Sequence, residues 1–269
     1  MVRSFAVAAV AALGLVALTE RRNQDYRDAR VLWEDTVAKR PQNAIAHANL
    51  ADTLIAAGHT AEGIAEYETA LRLRPRYAEA HADLAAILGR TGRQAESVSH
   101  YEESLRINPR EPTVHNWFGV ELLKAGRLPE AAGQFESALA LRPDFEAAHY
   151  NLGLGLAREG KLEKAIGQYR EALRLEPSDA DAANELGASL AGCGRLDEAE
   201  EALGRAIGMR PDSAEAENNL GIVMAREGRM AEAEAHFGRA VGLRPGFEDA
   251  RRNLELVREK RPGPPSLER

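Results

Sequence analysis

Apolar residues recur through residues 146–179 at a spacing of three to four, in two bouts divided by a turn. In the first bout Leu152 and Leu156 mark a stripe, and Gly153 beside them leaves room for another backbone to approach. Gly160 then ends the pattern, as a glycine after a helical run commonly does. In the second bout Ala165, Ile166, Tyr169, Ala172 and Leu173 share one face, and Pro177 prevents continuation. The pattern predicts two short helices, each apolar on one face only. Neither can bury that face alone, so both need neighbours.

The prolines supply the neighbours. Pro41, Pro75, Pro109, Pro143, Pro177, Pro211 and Pro245 each stand 34 residues from the next. A fixed period of this size decides the architecture. The place of Gly153 is taken by Ala51, Ala85, Gly119, Gly187 and Gly221, all small. The place of Tyr169 is taken by Tyr67, Tyr101, Phe135, Leu203 and Phe237, all large, and that of Ala172 by Ala70, Ser104, Ala138, Ala206 and Ala240. The turn glycines Gly58, Gly92, Gly126, Gly194 and Gly228 keep step with Gly160.

Six full repeats are expected over residues 44–247, preceded at 23–43 by the second half of a repeat, in which Ala29, Trp33, Val37 and Pro41 are in register. Residues 248–260 begin another first helix that is polar enough to cap the array, and residues 261–269 read as a disordered tail.

Gly153, Ala165, Tyr169, Ala172 and Pro177 together resemble the consensus of the tetratricopeptide repeat family, in its order and period, over about residues 24–260. The resemblance implies an all-α fold: a right-handed superhelical solenoid of antiparallel helix pairs. It also implies a concave face, lined by the first helices, that holds an extended segment of a partner protein.

Composition changes the picture little. The chain has 269 residues, only 5% of them aromatic, as expected when small residues let helices pack closely. A net charge of −7 disfavours a general nucleic-acid surface. The lone Cys193 excludes an internal disulfide.

The amino terminus changes it more. Residues 4–19 are uncharged and apolar, followed by Glu20, Arg21 and Arg22. As a helix they would span about 24 Å, near the lower limit for crossing a bilayer. An uncleaved N-terminal hydrophobic helix, with residues 1–22 as a membrane segment, is the first expectation. It would tether the chain to a bacterial inner membrane. A cleaved signal peptide leading to export into the periplasm is the alternative, although Val16, Ala17, Leu18 and Thr19 make a poor cleavage site; a buried helix is the third. Residues 26–54 are similar to the junction in multi-pass bacterial membrane proteins where a glycosyltransferase-like domain leads into such an array.

Candidate chemistry is sparse. His47, His81, His115 and His149 recur at one repeat position, but successive first helices lie about 8–10 Å apart, too far to share a metal about 2 Å from each ligand. They read as packing residues. Cys193 has no evident base beside it. The glycines of residues 153–155 lie inside a helix, so they cradle no phosphate. No catalytic residue, metal or cofactor is expected.

The face implied by the resemblance carries the candidates. One position reads Asn49, Asp83, Trp117, Asn151, Glu185, Asn219 and Asn253, with Asn116, Asn184 and Asn218 one residue earlier. An asparagine ladder in the repeat arm of O-linked N-acetylglucosamine transferases clamps peptide backbone. An amide suits that role because it both donates and accepts. Packing between repeats is the competing reading for these amides. A basic row, Arg90, Lys124, Arg158 and Arg226, can receive carboxylates, or simply serve its own helix's C-terminal dipole. The carboxylate clamp of chaperone-binding members is not reproduced, since its basic places hold Ile45, Ala48, Glu79 and Asp83. The expected function is a non-enzymatic, membrane-tethered scaffold that binds an extended polypeptide. The alternatives are the substrate-recognition arm of a protein O-glycosyltransferase, and an envelope assembly factor that stacks edge to edge.

Overall fold

A computed structural model describes residues 29–260, and among them it contains fourteen α-helices and no strand. They are α1 (Ala29–Lys39), α2 (Ala44–Ala56), α3 (Thr60–Leu73), α4 (Ala78–Arg90), α5 (Gln94–Ile107), α6 (Pro112–Lys124), α7 (Leu128–Leu141), α8 (Glu146–Arg158), α9 (Leu162–Leu175), α10 (Ala180–Gly192), α11 (Leu196–Met209), α12 (Ala214–Arg226), α13 (Met230–Leu243) and α14 (Glu248–Lys260). They fall into two compact units divided between Arg110 and Glu111. The first holds α1 and the pairs α2–α3 and α4–α5. The second holds α6–α7, α8–α9, α10–α11 and α12–α13, closed by α14. Within the second unit each helix packs on the next, and the first helices of successive pairs also touch.

The apolar run of residues 4–19, the basic flank after it and the tail 261–269 lie outside the described residues. Among the described residues no helix is long and apolar enough to cross a membrane.

Each pair turns at a glycine in the left-handed region, from Gly126 at φ 73° to Gly58 at φ 86°. The next residue's N–H reaches back to a carbonyl five residues earlier, as in Lys161 N to Leu156 O at 2.9 Å, which satisfies a helix-terminal carbonyl that would otherwise be unpaired. Entry to six of the seven first helices is secured in two ways, and α6 begins instead on Pro112. Asn43, Asp179 and Ser213 cap α2, α10 and α12 through their side chains. Where an aromatic residue stands instead, an arginine three residues earlier covers its ring, as Arg142 covers Phe145 at 3.4 Å.

The small–large pairing is a direct contact. A Cβ on Gly153 would lie 2.6 Å from Tyr169 Cε1, and one on Gly221 would lie 2.7 Å from Phe237 Cδ1. The room at Gly153 therefore admits an aromatic ring, where the sequence led us to expect a backbone. Tyr67, Tyr101, Phe135, Tyr169, Leu203 and Phe237 are all essentially buried. In α14 the residues facing back, Ala250, Leu254 and Val257, are buried. Glu255 and Arg258 occupy the places that in full repeats face a second helix, and Arg258 Nε donates to Glu234 at 2.9 Å. Their polarity suits a terminal surface.

Candidate functional site

The recurring histidines are held within their own repeats. His47 Nδ1 meets Glu66, His81 Nδ1 meets His100 Nδ1 at 2.9 Å, and the Nδ1 atoms of His115 and His149 each meet a glutamine, Gln134 and Gln168, at 2.7 Å. In the repeat of α12–α13 the polarity is reversed, with Glu217 meeting His236 at 2.7 Å. The Nε2 atoms of His47, His81 and His149 meet the carbonyls of Pro41, Pro75 and Pro143 at 3.0–3.1 Å. Each of these three histidines thus ties its own second helix to the turn that precedes its first helix. In α10–α11 both places are alanine, Ala183 and Ala202.

Cys193 is partly exposed. Desolvation first, then a hydrogen bond to Glu163, raise its thiol above the ordinary value. A nucleophilic cysteine needs the opposite shift.

The asparagines occupy two layers in the second unit. Asn116, Asn184 and Asn218 are 6%, 9% and 5% exposed. Their Oδ1 atoms accept from the Nδ2 atoms of Asn151, Asn219 and Asn253, each at 3.0 Å. Asn116, Asn184 and Asn218, expected on the partner face, are thus buried and support the second layer from behind. Asn151, Asn219 and Asn253 are half-buried, and each keeps its Oδ1 and one N–H for another group. Packing and recognition therefore share one amide row.

The basic row is exposed and partly engaged. Arg158 Nη1 donates to Leu123 O at 3.5 Å and Arg226 Nη1 donates to Ala191 O. Those carbonyls lie in the last turn of the preceding first helix, so each guanidinium caps its neighbour's C-terminus as well as standing at its own. Lys124 Nζ pairs with Glu121 at 2.7 Å. In the first unit Arg90 is exposed at the end of α4 and Asn49 is half-buried on α2.

Sequence reading missed a third row. Val120, Leu154, Ala188, Ile222 and Leu256 stand three residues beyond the amide position, on the same helix face. Leu256 is 46% exposed, and Trp117, at the amide position of α6, is 40% exposed. Ile222, Arg226, Met230, Asn253 and Leu256 line a cleft of about 260 Å³, which puts all three rows on one surface. Their common 34-residue step was the available signal, hidden because apolar residues invite assignment to the core.

In the first unit the same face is acidic. The buried Tyr67 hydroxyl donates to Asp52. Desolvation, followed by Asp52 and Glu79, pushes the Asp83 carboxyl up to about 6.

A family profile described as tetratricopeptide repeat matches residues 15–62, 48–112, 118–180, 154–202 and 184–246. No curated protein matches the chain. Among solved structures, YrrB, titled a TPR protein with an unusual peptide-binding site, is 24% identical with a TM-score of 0.62; the match covers 68% of this chain and 95% of YrrB. The pilF protein of Pseudomonas aeruginosa is 21% identical, with a TM-score of 0.68 and coverage of 81% and 97%. MamA of Desulfovibrio magneticus RS-1 is 23% identical, with a TM-score of 0.59 and coverage of 64% and 97%. At these identities the likeness is one of fold.

Proposed function

We propose that this chain, which belongs to the tetratricopeptide repeat family, is a non-enzymatic scaffold that holds an extended partner polypeptide along the first helices of its second unit. The observation that carries the reading is the half-exposed amide row Asn151, Asn219 and Asn253, each fixed from behind by one bond and open in front. A fixed amide loses little side-chain freedom on binding, which favours affinity. It pairs with an extended backbone whatever the side chains are. The apolar row beside it offers contacts about every 8–10 Å, which an extended chain spans in about three residues. That YrrB, similar in fold, is titled as having a peptide-binding site agrees with this use of the surface.

Peptides selected from a random library on the full-length chain should lose about five- to a hundredfold in affinity when Asn151 and Asn219 are both replaced by Ala. Arg205→Ala, on the exposed side of a second helix, should leave affinity unchanged. Equal loss at both places, or none at the asparagines, would discard the reading.

Membrane tethering through residues 4–19 belongs to the same proposal. It requires the native protein to resist carbonate extraction. A mature amino terminus near Thr19 or Glu20 would instead make residues 1–22 a signal peptide and the scaffold an exported one.

A further inference from the structure

Between Asn151 and Asn253 the amide row is interrupted once. Where α12 and α14 present Asn219 and Asn253 to Asn184 and Asn218, the same 35-residue register sets Glu185 of α10 opposite Tyr150 of α8, whose hydroxyl feels its charge. Glu185 is half-buried and its Oε1 accepts only the Asn184 amide, at 3.3 Å. No arginine or lysine among the described residues pairs with it.

Behind it stands Tyr169, wholly buried, whose hydroxyl has no hydrogen-bond partner among the described residues. Its counterpart Tyr67 gives its hydroxyl to Asp52, but the residue at the Asp52 place in this repeat is Leu154. Phenylalanine would fill the same volume without the cost of an unpaired buried hydroxyl, and Phe135 and Phe237 do so in two other repeats. The charged and titratable groups that act on this hydroxyl are Glu185, Tyr150 and Arg158. The Tyr150 and Tyr169 rings lie 6.1 Å apart, inclined at 56°. A carboxylate without an ion pair and the Tyr150 ring therefore meet at one step of the binding face, with the unpartnered Tyr169 phenol oxygen buried behind them.

We infer that Glu185, Tyr169 and Tyr150 form a subsite for a cationic side chain, lysine or arginine, of the bound polypeptide. The carboxylate takes the charge and the half-buried Tyr150 ring flanks the alkyl stem, while the Tyr169 oxygen, the buried end of the site, accepts a second N–H when the peptide's cation displaces the side chains that close it in the unliganded chain. The other charges acting on Glu185 are two carboxylates, each already paired, and Arg158, whose charge reaches Glu185 without a hydrogen bond between them. Asp181 pairs with Arg210, Glu215 with Arg244, and Arg158 donates to the Leu123 carbonyl. An anionic residue would meet an uncompensated carboxylate, and an apolar one would leave the hydroxyl unpaired.

This inference rests on the peptide-binding reading above, and the test separates the two. A random dodecapeptide library is selected on the full-length chain in detergent micelles, then on Glu185→Gln and Tyr169→Phe. Wild-type selections should enrich Lys or Arg at one fixed position. The enriched peptide should bind Glu185→Gln about ten- to a hundredfold more weakly, and Tyr169→Phe about three- to tenfold more weakly. Replacing its basic residue by norleucine should cost wild type at least the same factor and cost Glu185→Gln no more than the roughly three- to tenfold that Tyr169 supplies. The control Glu171→Gln, on a second helix, should bind as wild type does. Peptides enriched without a basic position, or basic enrichment that persists in Glu185→Gln, would overturn the subsite and leave the binding face intact. If no peptide is enriched at all, both readings fall. Glu185→Gln should melt no lower than wild type, because it removes a half-buried charge. A lower melting point would make the carboxylate a structural group and end the proposal.

Discussion

Replacing Asn151 by Ala should destabilise the second unit even though its side chain reaches the surface. Asn116 is 6% exposed, and its Oδ1 accepts the Asn151 Nδ2–H at 3.0 Å. Removing the donor strands that buried oxygen, at a cost of about 1–3 kcal/mol. Replacing Asn116 by Ala removes the buried group itself, and the half-buried Asn151 amide rehydrates. That change should cost only the net bond, about 0.5–1.5 kcal/mol, plus a small cavity. The double variant should then be less destabilised than the sum of the singles, with a coupling of about 0.5–1.5 kcal/mol. Urea unfolding followed by circular dichroism gives the global change. Amide exchange in α6 and α8 gives the local one, which matters because an array's stability is a sum over neighbouring repeats. Additive effects, within about 0.3 kcal/mol, would refute the paired-amide account. Asn116→Ala should also weaken peptide binding about two- to tenfold without touching the peptide, because it frees Asn151 to move.

Backbone conformation makes a second prediction. Gly126→Ala, at φ 73°, should cost about 1–2 kcal/mol, whereas Gly133→Ala, inside α7 where an added Cβ would meet no atom within 4 Å, should gain up to about 1 kcal/mol; thermal unfolding compares them. The first unit should answer to pH in two opposed ways. Asp83 has its carboxyl pushed up to about 6, so the native state holds its proton longer than the unfolded chain, and its contribution is full below about pH 4 and lost as pH rises through 6. Asp83→Asn should flatten that slope. Burial, then His81, lowers His100 below 6.5, so the unfolded chain takes the proton first and stability falls as pH drops below 6.5. His100→Gln, which copies the His–Gln pairs of α6–α7 and α8–α9, should abolish that loss; an unchanged pH profile in either variant would refute its assignment.

The period made much of the fold legible in the sequence. A proline, a turn glycine and a small–large pair each repeat every 34 residues, and each corresponds to a local requirement of the backbone or of one contact. Gly160 at φ 76°, and the Gly153 position filled by Tyr169, are of this kind. The candidate site was less legible because its bonds do not follow the period. Asn151 to Asn116, Asn219 to Asn184, Asn253 to Asn218, Arg158 to Leu123 and Arg226 to Ala191 are all 35 residues apart. Neighbouring first helices are staggered by one residue, so each position rests on the one before it in the preceding repeat. Aligning the sequence by 34 places Asn151, Asn219 and Asn253 in one row and Asn116, Asn184 and Asn218 in another. The alignment gives no hint that one row holds the other.

The same stagger places Glu185 against Tyr150, since 185 − 150 = 35. A final prediction follows from it. Replacing Tyr150 and Glu185 together by Asn should build one more amide pair in the register of the other three. Each change alone should fail to do so: Glu185→Asn offers its amide to a phenol ring, and Tyr150→Asn offers its amide to a carboxylate while losing the ring contact with Tyr169. The double variant should therefore be more stable than the sum of the singles by about 0.5–1.5 kcal/mol, whatever the cost of the lost ring. It should also bind peptides with no preference for a basic residue, because the carboxylate is gone and only backbone-pairing amides remain. The two readouts are independent. Coupling without loss of the basic preference would place the cation elsewhere on the face, and loss of the preference without coupling would mean that the stagger does not extend through α8 and α10.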